Sequence, residues 1–228
     1  MKTGFFITLE GFEGSGKTTL ARKLHHLFLK NGLNAMLTKE PGGTQAGDKI
    51  RKILLERGNE GLGYKAELLL FTASRAENVR INIKPALEKG IIVICDRYFD
   101  STTAYQGFGR GIDMGIIDYL NGLAVEGVIP DLTLFLDVDP DIGLKRATIL
   151  SNNAELRFED EFMQKKEVDG KLFLERVRDG YHQIARQNPE RIKVIDANRD
   201  IPLILKDIVS IINTQLSQKF KKEITLEL

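Results

Sequence analysis

The change of texture near the start of the chain limits its fold more than any other feature. The apolar run Phe5-Phe6-Ile7-Thr8-Leu9 reads as a strand and breaks into Gly11-Phe12-Glu13-Gly14-Ser15-Gly16-Lys17-Thr18. Residues 19–30 then take helical spacing, with Leu20, Leu24, Leu27 and Phe28 on one face. The G-x-x-x-x-G-K-[ST] spacing between a strand and a helix is a phosphate cradle. Its glycines let backbone N–H groups turn inward around phosphate oxygens, and the helix N-terminus adds a field that favours negative charge. Lys17 can reach terminal phosphates, and the Thr18 hydroxyl can ligate Mg²⁺. The loop specifies a nucleoside triphosphate site and leaves the acceptor open.

Four further short apolar runs, at 35–38, 91–95, 132–138 and 192–195, have the brevity of buried strands. Between them lie helical patterns at 65–73, 79–87, 114–125 (ended by Gly127), 141–149 and 161–187. A last helix is marked by Ile204, Leu205, Ile208, Val209 and Ile212, with Asp200 as N-cap and Pro202 in its first turn. Strands alternating with helices predict an α/β fold, a mostly parallel sheet covered on both faces. Residues 1–216 read as one domain, with a polar lid at about 147–160, where a phosphoryl-transfer enzyme excludes water. Residues 217–228 read as a charged tail that frays.

A formal net charge of +1 gives no global basic field for nucleic acid. The single cysteine, Cys95, excludes an internal disulfide framework and reads as a buried structural thiol. Neither a signal peptide nor an apolar run near membrane-spanning length is present, so the expectation is a cytoplasmic protein with no membrane partner.

Asp96-Arg97 follows the strand at 91–95, and ligands of open parallel sheets gather at such carboxyl ends. Asp96 can hold Mg²⁺ through water, and Arg97 can clamp an acceptor phosphate with its fork of donors. The alternative is a structural pair capping the next segment. Residues 100–111 are dense in polar groups; Tyr105 and Gln106 can line a pocket, and Asp100 or Ser101 can cap a helix. Lys39-Glu40-Pro41-Gly42-Gly43-Thr44 is a turn that can border the acceptor. Phe71 and Arg75 are four apart, so they share a helical face and can stack on a base and read its edge. From spacing alone, a core Phe and a surface Arg is the better reading. Arg146 and Arg157 bracket the lid.

With these residues in view the chain resembles the thymidylate kinases. The resemblance runs from Phe5 to about Arg199. It rests on residues 10–19, Glu40-Pro41-Gly42-Gly43-Thr44, Leu70-Phe71-Thr72-Ala73-Ser74-Arg75, Asp96-Arg97-Tyr98 and Asp100-Ser101-Thr102-x-Ala104-Tyr105-Gln106-Gly107. It implies a three-layer P-loop NTPase fold, a five-stranded parallel sheet surrounded by helices with a short lid, assembled as a homodimer. It implies Mg-dependent transfer of the γ-phosphoryl group of ATP to dTMP, giving dTDP for dTTP biosynthesis. ATP would be held by Gly11, Phe12, Glu13, Gly14, Ser15, Gly16, Lys17, Thr18 and Thr19, with Ala197 and Arg199 of a late loop beside adenine. dTMP would meet Phe71 stacked on thymine, Arg75 on a base-edge oxygen, Arg97 on the phosphate and Glu13 near the 3′-hydroxyl. Ser101, Tyr105 and Gln106 would complete that pocket, with Tyr105 disfavouring a 2′-hydroxyl. The catalytic cations would be Lys17, Arg97 and Arg157, with Thr18 and Asp96 serving the metal.

Three departures from the family pattern stand out. The P-loop carries no arginine, which assigns the catalytic cation to the lid, yet residues 147–156 hold none and only Arg157 matches. Lys39 stands where many relatives have arginine, and Glu77 where many have glutamine. The competing readings are a kinase for another nucleoside monophosphate or a deoxynucleoside, a P-loop module that hydrolyses ATP to drive a partner, and a chain that keeps the fold without the rate.

Overall fold

A computed structural model describes residues 4–55, 62–150, 167–221 and 224–228. The five apolar runs become β1 (Phe6–Gly11), β2 (Ala35–Lys39), β3 (Ile92–Asp96), β4 (Leu132–Asp137) and β5 (Ile192–Asp196). All pair in parallel, in the order β2-β3-β1-β4-β5. β1 is therefore central, and register places Leu9 beside Asp96 and Gly11 beside Leu136. The loop after β1 opens between the carboxyl ends of its two neighbours, where such sheets bind ligands.

Period-two alternation divides the core. Phe5, Ile7 and Leu9 face a cluster built with α1 (Lys17–Lys30), α8 (Glu167–Gln187) and α9 (Ile201–Phe220). Phe6, Val93, Cys95 and Tyr98 face the other cluster, built with Val79, Ile83, Ala86, Leu87 and Val125. Leu24 of α1 is fully buried, and its truncation to alanine would cost about 2–5 kcal/mol. Cys95 is free and buried, as its apolar surroundings predict, and burial pushes its thiol well above the usual range.

Several elements depart from the sequence reading. Helix α2 (Gln45–Leu55) was not predicted; Thr44 starts it by accepting the Gly47 N–H on its side chain at 2.9 Å and the Asp48 N–H on its carbonyl. The helices at 65–73 and 79–87 are one continuous rod, α3 (Tyr64–Asn78), a widened i→i+5 segment (Val79–Ile83) and α4 (Lys84–Glu88). The widening ends two residues before Pro85, which donates no hydrogen bond and crowds the carbonyl four residues back. A second widened segment, Thr103–Gly109, extends the short α5 (Phe99–Thr102). Helices α6 (Met114–Val125) and α7 (Pro140–Leu150) match their predicted positions. Asp200 sits at the N-cap of α9, but its carbonyl closes the first turn and its side chain makes no capping bond.

Residues 224–228 are docked rather than frayed. Leu226 is buried, its N–H donates to Asn213 Oδ1 at 2.9 Å, and Asn31 exchanges two bonds with the backbone of Glu227. Among the described residues no helix is long and apolar enough to cross a membrane.

Candidate active site

The phosphate loop is shaped by two close approaches of backbone. Gly11 has φ 134° and a Cβ there would lie 2.6 Å from the Leu136 carbonyl oxygen; Gly14 has φ 71° and would meet the Gly143 oxygen at 2.0 Å. Neither position accepts a side chain. Phe12 is buried in the main core, so it presents only backbone to the loop interior. Ser15 Oγ donates to the Phe12 carbonyl at 2.8 Å, and Lys17 Nζ donates to the same carbonyl. Thr18 and Thr19 are exposed at the helix start.

Thr18 Oγ1 donates to Asp96 Oδ2 at 2.5 Å, joining the loop to the end of β3. A hydroxyl and a carboxylate are hard oxygen donors, and Mg²⁺ usually takes one or two such groups and completes its shell with water and phosphate. The residues present therefore fit the ion. Among the described residues no three His, Cys, Asp or Glu side chains cluster as a metal site of their own.

Beside the loop lies a cleft, partly open to solvent, lined by Glu13, Phe71, Arg75, Arg97, Ser101, Tyr105 and Gln106 among others. All seven residues assigned to dTMP from the resemblance thus share one cavity. The spacing-only reading of Phe71 and Arg75 is inverted: Phe71 is half-buried on the cleft wall, and Arg75 is 1% exposed. Arg75 Nε donates to Glu40 Oε2 at 2.8 Å, Nη1 to Asn121 Oδ1, and Nη2 to the Tyr98 carbonyl and Thr102 Oγ1. Burial raises the pKa of Glu40 despite the lowering effect of Arg75 and Asn78. The partners of Arg75 are far apart in sequence, which is why spacing misplaced it.

Arg97 has φ 71°, a left-handed conformation that costs a side-chain-bearing residue about 1–2 kcal/mol. Its N–H donates to the Leu9 carbonyl at 3.0 Å, and the next N–H, of Tyr98, donates to Glu10 Oε1 at 2.7 Å. Its guanidinium lies 5.1 Å from the Tyr105 ring centroid, with Nη1 3.4 Å from Ser101 Oγ. Ser101 in turn donates to Glu10 Oε2 at 2.5 Å. Glu10 is fully buried, and burial with Asp100 nearby pushes its carboxyl up to about 7 against the lowering effects of Ser101, Arg97 and Tyr98. Asp100 caps nothing; it forms a buried two-point pair with Arg191, at 2.6 and 2.9 Å.

Sequence reasoning missed three cleft residues, Arg51, Glu67 and Phe173, and took Thr102 and Arg110 only as part of the polar stretch at 100–111. Arg51 arrives on the unpredicted α2 and donates to the Pro41 carbonyl at 3.1 Å; it, not Lys39, brings a guanidinium to that side. Glu67 accepts Gln106 Nε2 and Arg110 Nη2, each at 2.8 Å, so the Gln106 amide is oriented from behind. Glu77 lies outside the cleft and forks with Arg80. In the late loop Ala197 is buried, its N–H donating to the Asp137 carbonyl and its carbonyl accepting Arg146 Nη1 at 2.7 Å. Arg199 pairs with Asp207 at 2.6 Å. Arg157 and residues 151–160 of the expected lid lie outside the described residues.

A polyphosphate cradle and a cleft with an arginine on its floor and an aromatic wall, meeting at the carboxyl edge of one parallel sheet, define a P-loop kinase of small molecules. The sequence model of the thymidylate kinase family matches residues 9–208. A thymidylate kinase of Syntrophotalea carbinolica is 48% identical over 200 residues, covering 85% of this chain and 88% of that protein. One from Clostridium novyi is 38% identical over 208 residues, covering 91% and 98%. The crystal structure of thymidylate kinase from Ehrlichia chaffeensis superimposes with a TM-score of 0.71 at 38% identity, over 92% of this chain and 98% of that one. The chain belongs to the thymidylate kinase family.

Proposed function

We propose that the chain transfers the γ-phosphoryl group of ATP to dTMP with Mg²⁺, as a cytoplasmic homodimer. Phosphorylation of dTMP in nucleotide biosynthesis follows from the family; the metal, the residue roles, the assembly and the compartment are our reading. The observation that carries the reading is the union of the Thr18–Asp96 contact with the Arg97-floored cleft on adjacent strand ends.

A phosphate oxygen of dTMP attacks the γ-phosphorus in line, and the bond to the β–γ bridging oxygen breaks. The attacking oxygen is already anionic, so positioning and charge stabilisation do the work. Lys17 exchanges the Phe12 carbonyl for β- and γ-phosphate oxygens, and the loop N–H groups from Gly11 to Thr19 hold the same phosphates. Thr18 and, through water, Asp96 would hold Mg²⁺, which would supply positive charge against the phosphates. Arg97 aligns the acceptor phosphate and Arg157 closes from the lid. Phe71 stacks on thymine, Arg75 reads its edge, and Glu13, Ser101, Tyr105 and Gln106 hold the sugar and base. Ala197 and Arg199 lie beside adenine. The homodimer is supported by Ile116, Tyr119 and Leu123, which expose an apolar stripe on one face of α6.

The test is side-by-side phosphorylation of dTMP, dUMP, dCMP, dGMP and thymidine by the purified chain with MgATP. dTMP is expected to have the highest kcat/KM. A faster alternative acceptor, or ATP hydrolysis that yields no dTDP, overturns the reading.

A further inference from the structure

Helix α8 approaches the site through two rings: Phe173 lines the cleft, and Tyr181 lies behind the cleft residues Ser101 and Tyr105. Tyr181 is 2% exposed and its ring stacks on Phe135 of β4, with centroids 4.8 Å apart and planes 18° apart. Its hydroxyl donates to Glu10 Oε2 at 3.1 Å and lies 2.9 Å from Ser101 Oγ. Its ring meets Tyr105 edge-on at 6.3 Å and 83°.

Both routes end on the same group. Ser101 Oγ is a neighbour of Arg97 Nη1, and the Tyr105 ring lies against the Arg97 guanidinium. The Arg97 backbone is held in its left-handed conformation in part by the Tyr98 N–H bond to Glu10. While Tyr181 and Ser101 both donate to Glu10, Ser101 keeps its lone pairs directed at Arg97. Removing the Tyr181 hydroxyl leaves Glu10 Oε2 one donor short in a buried site, and the remaining donors must rearrange around it.

We propose that Tyr181 is a positioning residue for Arg97, acting through Glu10 and Ser101 on one side and through the Tyr105 ring on the other. The tie couples α8 to the acceptor-phosphate site. The charged groups around this network are Glu10 and Asp100, with Arg97 and Arg191 opposite them. The proposal rests on the reading that Arg97 binds the acceptor phosphate.

The experiment is a kinetic double-mutant cycle between Tyr181→Phe and Arg97→Lys, reading KM for dTMP and for ATP separately. Tyr181→Phe keeps the ring and its stacking and removes only the hydroxyl. KM for dTMP should rise roughly threefold to tenfold, the scale of one ordinary net hydrogen bond transmitted to Arg97, while KM for ATP stays unchanged. In the Arg97→Lys background the Tyr181→Phe effect should shrink to less than about twofold, because the two act on one group. Equal effects in both backgrounds, or equal rises in the two KM values, overturn the proposal. If Arg97→Lys alone leaves KM for dTMP unchanged, the reading of Arg97 fails instead. Should Tyr181→Phe lower the thermal midpoint by more than about 5 °C, Glu10→Gln takes its place in the cycle with the same expected pattern.

Discussion

Replacing Glu10 by glutamine removes a proton-binding site from the interior and keeps its shape. The carboxyl is raised from 4.5 to about 7 in the fold, chiefly by burial and then by Asp100. A raised folded pKa means that the native state binds the proton more tightly than the unfolded chain does. Its contribution to stability is complete below about pH 4.5 and is lost as pH rises through 7. At roughly 1.36 kcal/mol per pKa unit the whole shift is worth about 3 kcal/mol, of which about 2–3 kcal/mol falls between pH 5 and pH 8. The glutamine side chain does not titrate, so the Glu10→Gln variant should gain that much on the wild type across the interval, whatever the offset between them at pH 5. Urea denaturation of both proteins at pH 5, 6, 7 and 8, at one fixed protein concentration, measures the difference. Titrating groups that do not interact with Glu10 are common to both chains and cancel. A stability difference that stays flat within about 0.5 kcal/mol over that range would refute the reasoning, since a buried carboxylate of raised pKa cannot be pH-neutral. The amide also places a donor where the carboxylate had an acceptor, so the stabilised variant should bind dTMP less well.

Lys17→Ala should lower kcat by about 10²–10³-fold, as removal of one stabilising donor does, with a thermal midpoint close to wild type; unaltered turnover would contradict its role. Phe71→Ala should raise KM for dTMP by roughly 5- to 100-fold, since base–aromatic stacking is worth about 1–3 kcal/mol, and an effect confined to ATP would assign the ring elsewhere. Tyr119→Lys combined with Leu123→Lys puts charge on the apolar stripe of α6 and should yield a monomer by sedimentation; an unchanged dimer would move the interface to another face.

The features read correctly from sequence were those fixed by local rules. The phosphate loop was legible because glycine spacing, a strand and a helix coincide within 26 residues, from Phe5 to Lys30. The strands were legible because both faces of the sheet are covered, which makes each run continuously apolar. Helix α2 escaped although Ile50, Ile53 and Leu54 recur at helical spacing, because the Pro41-Gly42-Gly43 turn before it drew the reading toward a loop. Arg75 was misplaced because Glu40 after β2, Tyr98 and Thr102 at the two ends of α5, and Asn121 of α6 converge on it. Glu10 was passed over for the same reason: a glutamate between a strand and a glycine looks solvent-facing until Tyr98, Ser101 and Tyr181 are folded over it. The resemblance located the cleft residues, but it carried no information about what holds them.

The docked carboxyl-terminal residues have a consequence for how the molecule breathes. Asn31, at the end of α1, accepts the Glu227 N–H and donates to the Glu227 carbonyl, as a neighbouring strand would. The far end of the helix that begins at Lys17 is thus stapled to the extended residues 224–228 rather than left to fray. Amide hydrogens at the end of α1 and at Leu226 and Glu227 belong to one cooperative opening unit and should exchange with solvent at a common rate. The final residues of the chain serve as a gauge of the helix that carries the phosphate loop.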